Sequence, residues 1–302
     1  MKTEEKRALK TLAGRYPQLY LDPDKEGAHE ACLAAVRQGI MPEECSLRHF
    51  HGDERDRLET VETPAGPVDV LTLFSRTDFE TCLRILAYHC GDAVIPETQG
   101  ASTLDGIVNW PRIREHRERF FREQALAGIA DPDWSEEFRA FTSVRSNYRD
   151  VLIVLSVGPY SGVPAEEMGL PEEEWIRASY TIRKYHECTH VICRRLYPEM
   201  IDAVWDELTA DAVGICAAFG RFDIETEERF LGIRDGRYAG GRLQNYVKDS
   251  GNREELDRLA GRAAGVLKAF VLIIREAGTE DPFGLIPVLQ AQYGLLWKTN
   301  RM

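Results

Sequence analysis

Tyr180-Thr-Ile-Arg-Lys-Tyr-His186-Glu187-Cys-Thr-His190-Val-Ile-Cys193 carries the pattern HExxH at residues 186–190. On a helix, residues four apart share a face and lie about 6 Å apart along the axis. Two imidazoles at that spacing both reach one Zn²⁺ through bonds of about 2.0–2.1 Å. Glu187 sits one residue on, roughly 100° around the cylinder, where it flanks the metal and takes a proton from bound water.

The chain then meets Tyr197-Pro198 and restarts as a second helix, Ile201-Asp-Ala-Val-Trp-Asp-Glu207-Leu-Thr-Ala-Asp211-Ala-Val-Gly214. Proline does not continue a helix interior but tolerates a first turn, so this point reads as a reversal. From His190 to Leu196 the chain climbs about 9 Å, and from Glu199 to Glu207 it returns about 12 Å. An antiparallel hairpin therefore brings Glu207 level with the histidines as a third ligand, leaving a fourth position for water. Asp211 returns near His186, where it accepts the ring's other N–H. Small Ala210 and Gly214 allow close helix approach. Asp206 is the competing ligand, but Ala210 would then stand one turn on, so Glu207 is preferred. Cys193 lies about 10 Å along the axis from His186, too far to share an ion, and Cys188 points away from the pair.

HExxH followed on the next helix by Glu-x-x-x-Asp resembles the gluzincin branch of zinc metallopeptidases, thermolysin-like proteins among them. The resemblance covers about residues 180–215. It implies His186, His190 and Glu207 as ligands of one Zn²⁺ per chain, Glu187 as general base and Asp211 as outer partner. It also implies a sheet whose edge strand runs past the metal, and a peptide or other small hydrolysable substrate. The interval from His190 to Glu207 is shorter than in thermolysin, and Asp206 stands where Asn is common. No histidine follows His190 to stabilise an oxyanion. The candidates for substrate or oxyanion contacts are Tyr160, in the Gly/Pro loop 158–164, and Arg237, Tyr238, Arg242 and Tyr246, in the glycine-rich stretch 232–246. Flexible glycines suit a loop that approaches a ligand closely; a turn with exposed charges is the competing reading. For the whole site, the alternative to a hydrolase is a non-catalytic zinc protein whose ion ties the helix hairpin together.

Composition bounds the remainder. The 302 residues permit one large domain or two modest ones. A net charge of −12 argues against nucleic acid or an anionic membrane as main partner. Seven cysteines without a C-x-x-C pair fit a reducing compartment. The charged first residues lack a following secretory core, and Ala263–Ile274 is too short to span a bilayer, so the expected location is cytoplasmic. The expected fold is α+β and predominantly helical. A mainly helical lobe with at least one strand occupies 1–145, and a zincin-like core with a small sheet occupies 146–302.

Within that frame, periodicity predicts helices over 3–20, 24–39 (capped by Asp22-Pro-Asp24), 77–90 (capped by Thr77 or Asp78), 111–127, 135–142 and 253–277. A last helical stretch to Lys298 is expected to break at Pro287. Val68–Phe74 and Asp150–Ser156 read as strands, and either is a candidate for the substrate-pairing edge. Residues 41–67 read as a long connection and 96–103 as a plain turn. His49, His51, His89 and His116 read as structural or solvent-facing rather than as ligands.

Overall fold

Val68–Leu73 (β2) and Arg149–Ser156 (β4) are rich in apolar residues; β2 is buried at all but Asp69, and β4 is buried from Leu152 on. They pair in parallel, Val70 opposite Ile153 and Leu71 opposite Val154. A parallel pair buried on both faces calls for continuous hydrophobic strands, which is what these segments supply. The computed structural model describes residues 6–200 and 202–298. It is α+β and mostly helical, and it divides into two units, described in turn.

The first unit comprises residues 1–60, 69–96 and 102–156. Its four-stranded sheet has the order β1-β2-β4-β3, with β1 at Arg57–Val61 and β3 at Ala101–Val108. Both candidate edge strands are thus interior, which corrects that expectation. The edges are β1 and β3, which lie where a long connection and a plain turn are expected. β1 is half-exposed and carries Arg57, Glu59 and Thr60, so no apolar run marks it. Charge on an edge strand also hinders pairing with a foreign chain. β3 starts inside the expected turn, contains Gly106 and buries few side chains.

Around the sheet stand α1 (Arg7–Arg15), α2 (Ala28–Gln38), α3 (Arg76–Leu86), α4 (Trp110–Leu126) and α5 (Trp134–Ser143). Of the helix expected over 3–20, residues 3–5 lie outside the described residues; α1 ends at Arg15, and a 3₁₀ turn follows from Pro17. α2 starts after Gly27 rather than at Asp24, and α3 is capped by Ser75, whose side chain accepts from Asp78 N–H. Fully buried Asp78 instead receives the backbone N–H groups of His51 and Gly52 at 2.8 and 2.7 Å, anchoring the long connection. The sequence boundary at 145/146 moves to 156/157, because β4 belongs to this sheet.

The second unit comprises residues 61–68, 97–101 and 157–302. After a single turn, α6 (Ala165–Met168), the helix α7 runs from Glu172 to Leu196 and α8 from Ala203 to Phe219. Three glutamates open α7 and two arginines close it, matching the helix dipole at both ends. Ile201, the expected start of α8, lies outside the described residues; Asp202 caps the helix by accepting from the N–H groups of Val204 and Trp205. Such a cap contributes about 1 kcal/mol. A Cβ on Gly214 would stand 2.7 Å from the Ile182 carbonyl oxygen, so α8 lies backbone-close against α7 at this point. Trp205 Nε1 donates to Gln290 Oε1, and Gln290 Nε2 donates to Cys193 Sγ, tying both helices to α11 (Leu285–Gln290).

Next come α9 (Ile224–Leu231), a short antiparallel hairpin of β5 (Ile233–Arg234) and β6 (Arg237–Tyr238), a 3₁₀ turn at Arg242–Tyr246 and α10 (Arg253–Ala277). Pro287 does not break the last stretch, because it falls in the first turn of α11, where a missing N–H costs nothing. Among the described residues, no helix is long and apolar enough to cross a membrane.

Candidate metal centre

His186 and His190 project from one face of α7, each only 6 % exposed, with their rings nearly perpendicular at 87°. Ile182 meets Gly214, His186 meets Asp211, and His190 meets Asp206. Later positions on α7 thus meet earlier positions on α8, and the two helices run antiparallel in the register expected from the axial rises. Half-buried Glu207 falls between the histidines: its oxygens lie 3.6 Å from His186 Nε2 and 3.5 Å from His190 Nε2. Among the described residues these three form the one group of His, Cys, Asp or Glu donors, all within 4.8 Å of one another, that can hold a metal ion.

The polar atoms behind the rings determine which nitrogens are left over. His186 Nδ1 lies 2.7 Å from Asp211 Oδ1, and His190 Nδ1 lies 2.7 Å from Asp206 Oδ2. A carboxylate accepts only, so each Nδ1 carries the proton and donates it. Both Nε2 atoms then present lone pairs, and these face each other at 2.9 Å. Two lone pairs at that distance need a proton or a cation between them. A tetrahedral site with Zn–N and Zn–O bonds of about 2.0–2.2 Å separates its donors by roughly 3.3 Å. Distances of 2.9, 3.5 and 3.6 Å bracket that value, so the donor set fits a zinc ion.

The electrostatics of the metal-free site say the same. Burial and the neighbouring His190 push His186 down to about 4. Burial also opposes charge on His190, but the Asp206 hydrogen bond, with Asp206, Glu207 and Glu187 nearby, carries it up to about 9. One proton therefore occupies the place between the two rings. Glu207 is held below its ordinary value: burial opposes this, and the two histidines outweigh it. Glu187 is half-buried, and its charge acts on both imidazoles.

The outer residues take several places around the three donors. Tyr160, in the turn before α6, donates its O–H to Asp211 Oδ1 at 2.6 Å and lies 2.9 Å from His186 Nδ1. Arg242 donates to the Tyr160 oxygen at 3.0 Å and forms an ion pair with Asp211. Both thus hold Asp211 behind His186, and the charge of Arg242 also acts on Glu207. Burial raises the Tyr160 pKa, which keeps its proton on for that bond. Burial and the nearby charge of Glu207 raise the Tyr246 pKa, so Tyr246 stands beside a candidate ligand with its proton on. Tyr238 spends its hydroxyl on Gly241, accepting from its N–H and donating to its carbonyl. Arg237 is exposed on β6, and its side chain makes no hydrogen bond or ion pair among the described residues. The glycines of this stretch serve backbone against backbone: a Cβ on Gly232 would stand 2.3 Å from the Gly240 carbonyl oxygen.

Two residues at the site escaped the sequence reading. Asp206, weighed there only as a rival ligand, is the outer partner of His190. Its position directly before Glu207 was the available signal, since adjacent residues on α8 fan out to either side of the α7 ridge. Glu227 on α9 is fully buried, and neither carboxyl oxygen has a hydrogen-bond partner among the described residues. Burial and the charge of Glu207 raise its pKa well above the usual range, so it is held as a neutral acid. Within Glu225-Thr-Glu227-Glu228 no sequence signal sets it apart from exposed Glu225 or half-buried Glu228.

No curated protein and no solved structure matches the chain. A family model described as a family of unknown function, DUF7005, matches residues 1–286, nearly the whole length, and the chain belongs to that family.

Proposed function

We propose that the chain is a zinc-dependent hydrolase, a metallopeptidase of gluzincin type whose zincin-like core is the α7–α8 pair, with one zinc per chain. The observation that carries this reading is the pair of Nε2 lone pairs facing each other beside Glu207, with a carboxylate fixing each Nδ1–H behind them. When bound, zinc supplies a Lewis acid that polarises a carbonyl oxygen and lowers the pKa of a water. His186, His190 and Glu207 hold it. Asp211 and Asp206 keep the rings in the tautomer that leaves Nε2 available, and raise the basicity of the imidazoles. Arg242 and Tyr160 keep Asp211 from turning away. Glu187, one residue past His186 and half-buried, takes a proton from the attacking water and passes it to the leaving amine.

The test separates the base from the ligands. Protein purified without a polyhistidine tag is expected to contain about one zinc per chain and to cleave members of a synthetic peptide mixture, read by mass spectrometry. Glu187→Gln keeps the zinc and loses about 10²- to 10⁴-fold in rate, the ordinary contribution of a general base. Full activity in Glu187→Gln, or a wild type that binds zinc and cleaves nothing, would remove the catalytic reading and leave the non-catalytic zinc protein.

A further inference from the structure

Two successive residues of the first unit, His89 and Cys90, take left-handed backbone conformations, at φ 53° and 56°. They close the turn after α3, where the Cys90 N–H donates to the Arg84 carbonyl at 2.8 Å. A left-handed residue past a helix end is usually glycine or asparagine, because a Cβ is strained there. Strain of this kind persists where the surroundings enforce it, and it gathers at functional sites. Gly91 comes one residue later, so at 90 the chain carries a thiol where the backbone alone favours glycine.

That thiol has a neighbour on α2. His29 Nδ1 lies 2.8 Å from the His89 carbonyl oxygen. One turn further along α2, Cys32 Sγ lies 3.7 Å from the Ile85 carbonyl oxygen. This carbonyl directly follows the Arg84 carbonyl that holds Cys90, so both cysteines approach the same turn of α3. They belong to one hydrophobic core, and both are free thiols.

The two sulfurs are unequal. Cys32 is fully buried, while Cys90 keeps 6 % exposure and follows exposed Ala87 and Tyr88. A small oxidant arriving from solvent meets Cys90 first. The neighbouring Cys32 thiol, against burial and with help from the charge of Arg84, holds Cys90 below the ordinary thiol range. Cys90 and burial push Cys32 up. The thiolate is the nucleophile, so acidity and access select the same cysteine.

We propose that Cys90 and Cys32 are a thiol pair oxidised by hydroperoxides, with Cys90 as the attacking sulfur and Cys32 as the resolving one. The Cys90 thiolate attacks one peroxide oxygen; an S–O bond forms and the O–O bond breaks. The departing oxygen takes up the proton that Cys90 gave to solvent, and Cys90 becomes a sulfenic acid. The Cys32 sulfur then attacks the sulfenic sulfur. An S–S bond forms, and the sulfenic hydroxyl leaves as water with the Cys32 proton. Two thiols are oxidised and one peroxide is reduced. The product ties α2 to the turn after α3, and a dithiol reductant reopens it by exchange.

The test treats the full-length chain with a few equivalents of hydrogen peroxide, then alkylates it under denaturing conditions and maps it by mass spectrometry. The expected product is about 2 Da lighter than the untreated chain, carries a Cys32–Cys90 linked peptide and returns to the dithiol with dithiothreitol. In Cys32→Ser the sulfenic acid on Cys90 has no resolving partner and is trapped by dimedone. Cys90→Gly, which suits the left-handed turn, forms no link and leaves Cys32 unmodified. Cys32 and Cys90 both still alkylatable after treatment, a link from either one to Cys82, or a dimedone adduct on Cys32 would overturn the proposal. The map of the wild-type chain decides it even where Cys32→Ser does not fold.

Discussion

The α4–α5 pair and the α7–α8 pair each set a histidine against a carboxylate, yet of the two only α7–α8 leaves donors that can hold a metal ion. On α4, His116 Nε2 lies 2.7 Å from Glu137 Oε1, and Arg119 donates to His116 Nδ1 at 2.9 Å. The ring also stacks on Phe141 at 4.0 Å. Both nitrogens are spent and no lone pair is left. On α7 the carboxylates of Asp211 and Asp206 take only the Nδ1 hydrogens, and the Nε2 lone pairs converge. A histidine–carboxylate contact alone therefore says little; the nitrogen left over says whether a metal can bind.

The sharpest way to break this contrast is to remove one ring from each pair. His190→Ala is expected to lose zinc entirely, whereas His116→Ala keeps about one per chain, both read by metal analysis after dialysis. Zinc lost equally from both variants would erase the distinction.

A smaller effect is expected behind the rings. Asp211→Asn and Asp206→Asn each lower zinc affinity by about 10- to 100-fold in competition with a chelator. Asp211 is the more sensitive of the two, because its loss also strands Arg242 and Tyr160. Asp202→Asn is the control on the same helix, since asparagine caps about as well as aspartate. If Asp206→Asn has no effect while Asp211→Asn does, only His186 depends on an outer partner.

The shared proton makes the contrast pH-dependent. Between about 4 and 9 the metal-free site holds one proton that zinc must displace. Zinc affinity is then expected to rise about tenfold per pH unit across this window and to flatten above 9. For the metal-free fold the signs are opposite at the two rings. His190, raised from 6.5 to about 9, contributes stability that is fully present below 6.5 and lost as pH rises through 9. His186, lowered to about 4, contributes stability present above 6.5 and lost as pH falls through 4. Chelator competition at several pH values, with melting curves of the apo chain, measures both. An affinity independent of pH would mean that the rings hold no proton to displace.

The least effect on the metal is expected from spacing. Gly214→Ala places a Cβ against the Ile182 backbone and costs about 1–3 kcal/mol of fold stability, as overpacking does, while zinc stays at about one per chain. Thermal unfolding checks it, and an unchanged melting temperature would show that the helices separate without cost.

The centre was legible because its geometry is local. His186 and His190 are set by one helical period, and Glu207 and Asp211 by two rises and one proline reversal. The outer ring was less legible because it is assembled from distant segments. Tyr160 and Arg242 were singled out as groups facing a substrate, but they come from either side of the hairpin and both converge on Asp211. Edge strands β1 and β3 were missed for a related reason: half-exposed strands carry no apolar run, and their existence depends on β2 and β4 offering them an edge.

By itself, the sequence determined the helix carrying HExxH, the return of the second helix in register, the two buried parallel strands and the mostly helical α+β class. Each follows from periodicity, chain reversal or apolar content within a few dozen residues. Tertiary structure alone decided that Asp206 serves His190, that Arg242 and Tyr160 hold Asp211 and that Glu227 is sealed in as a neutral acid. In those cases the partner is brought in from another part of the chain, and a side chain's role depends on which of its polar atoms remain unpaired after packing.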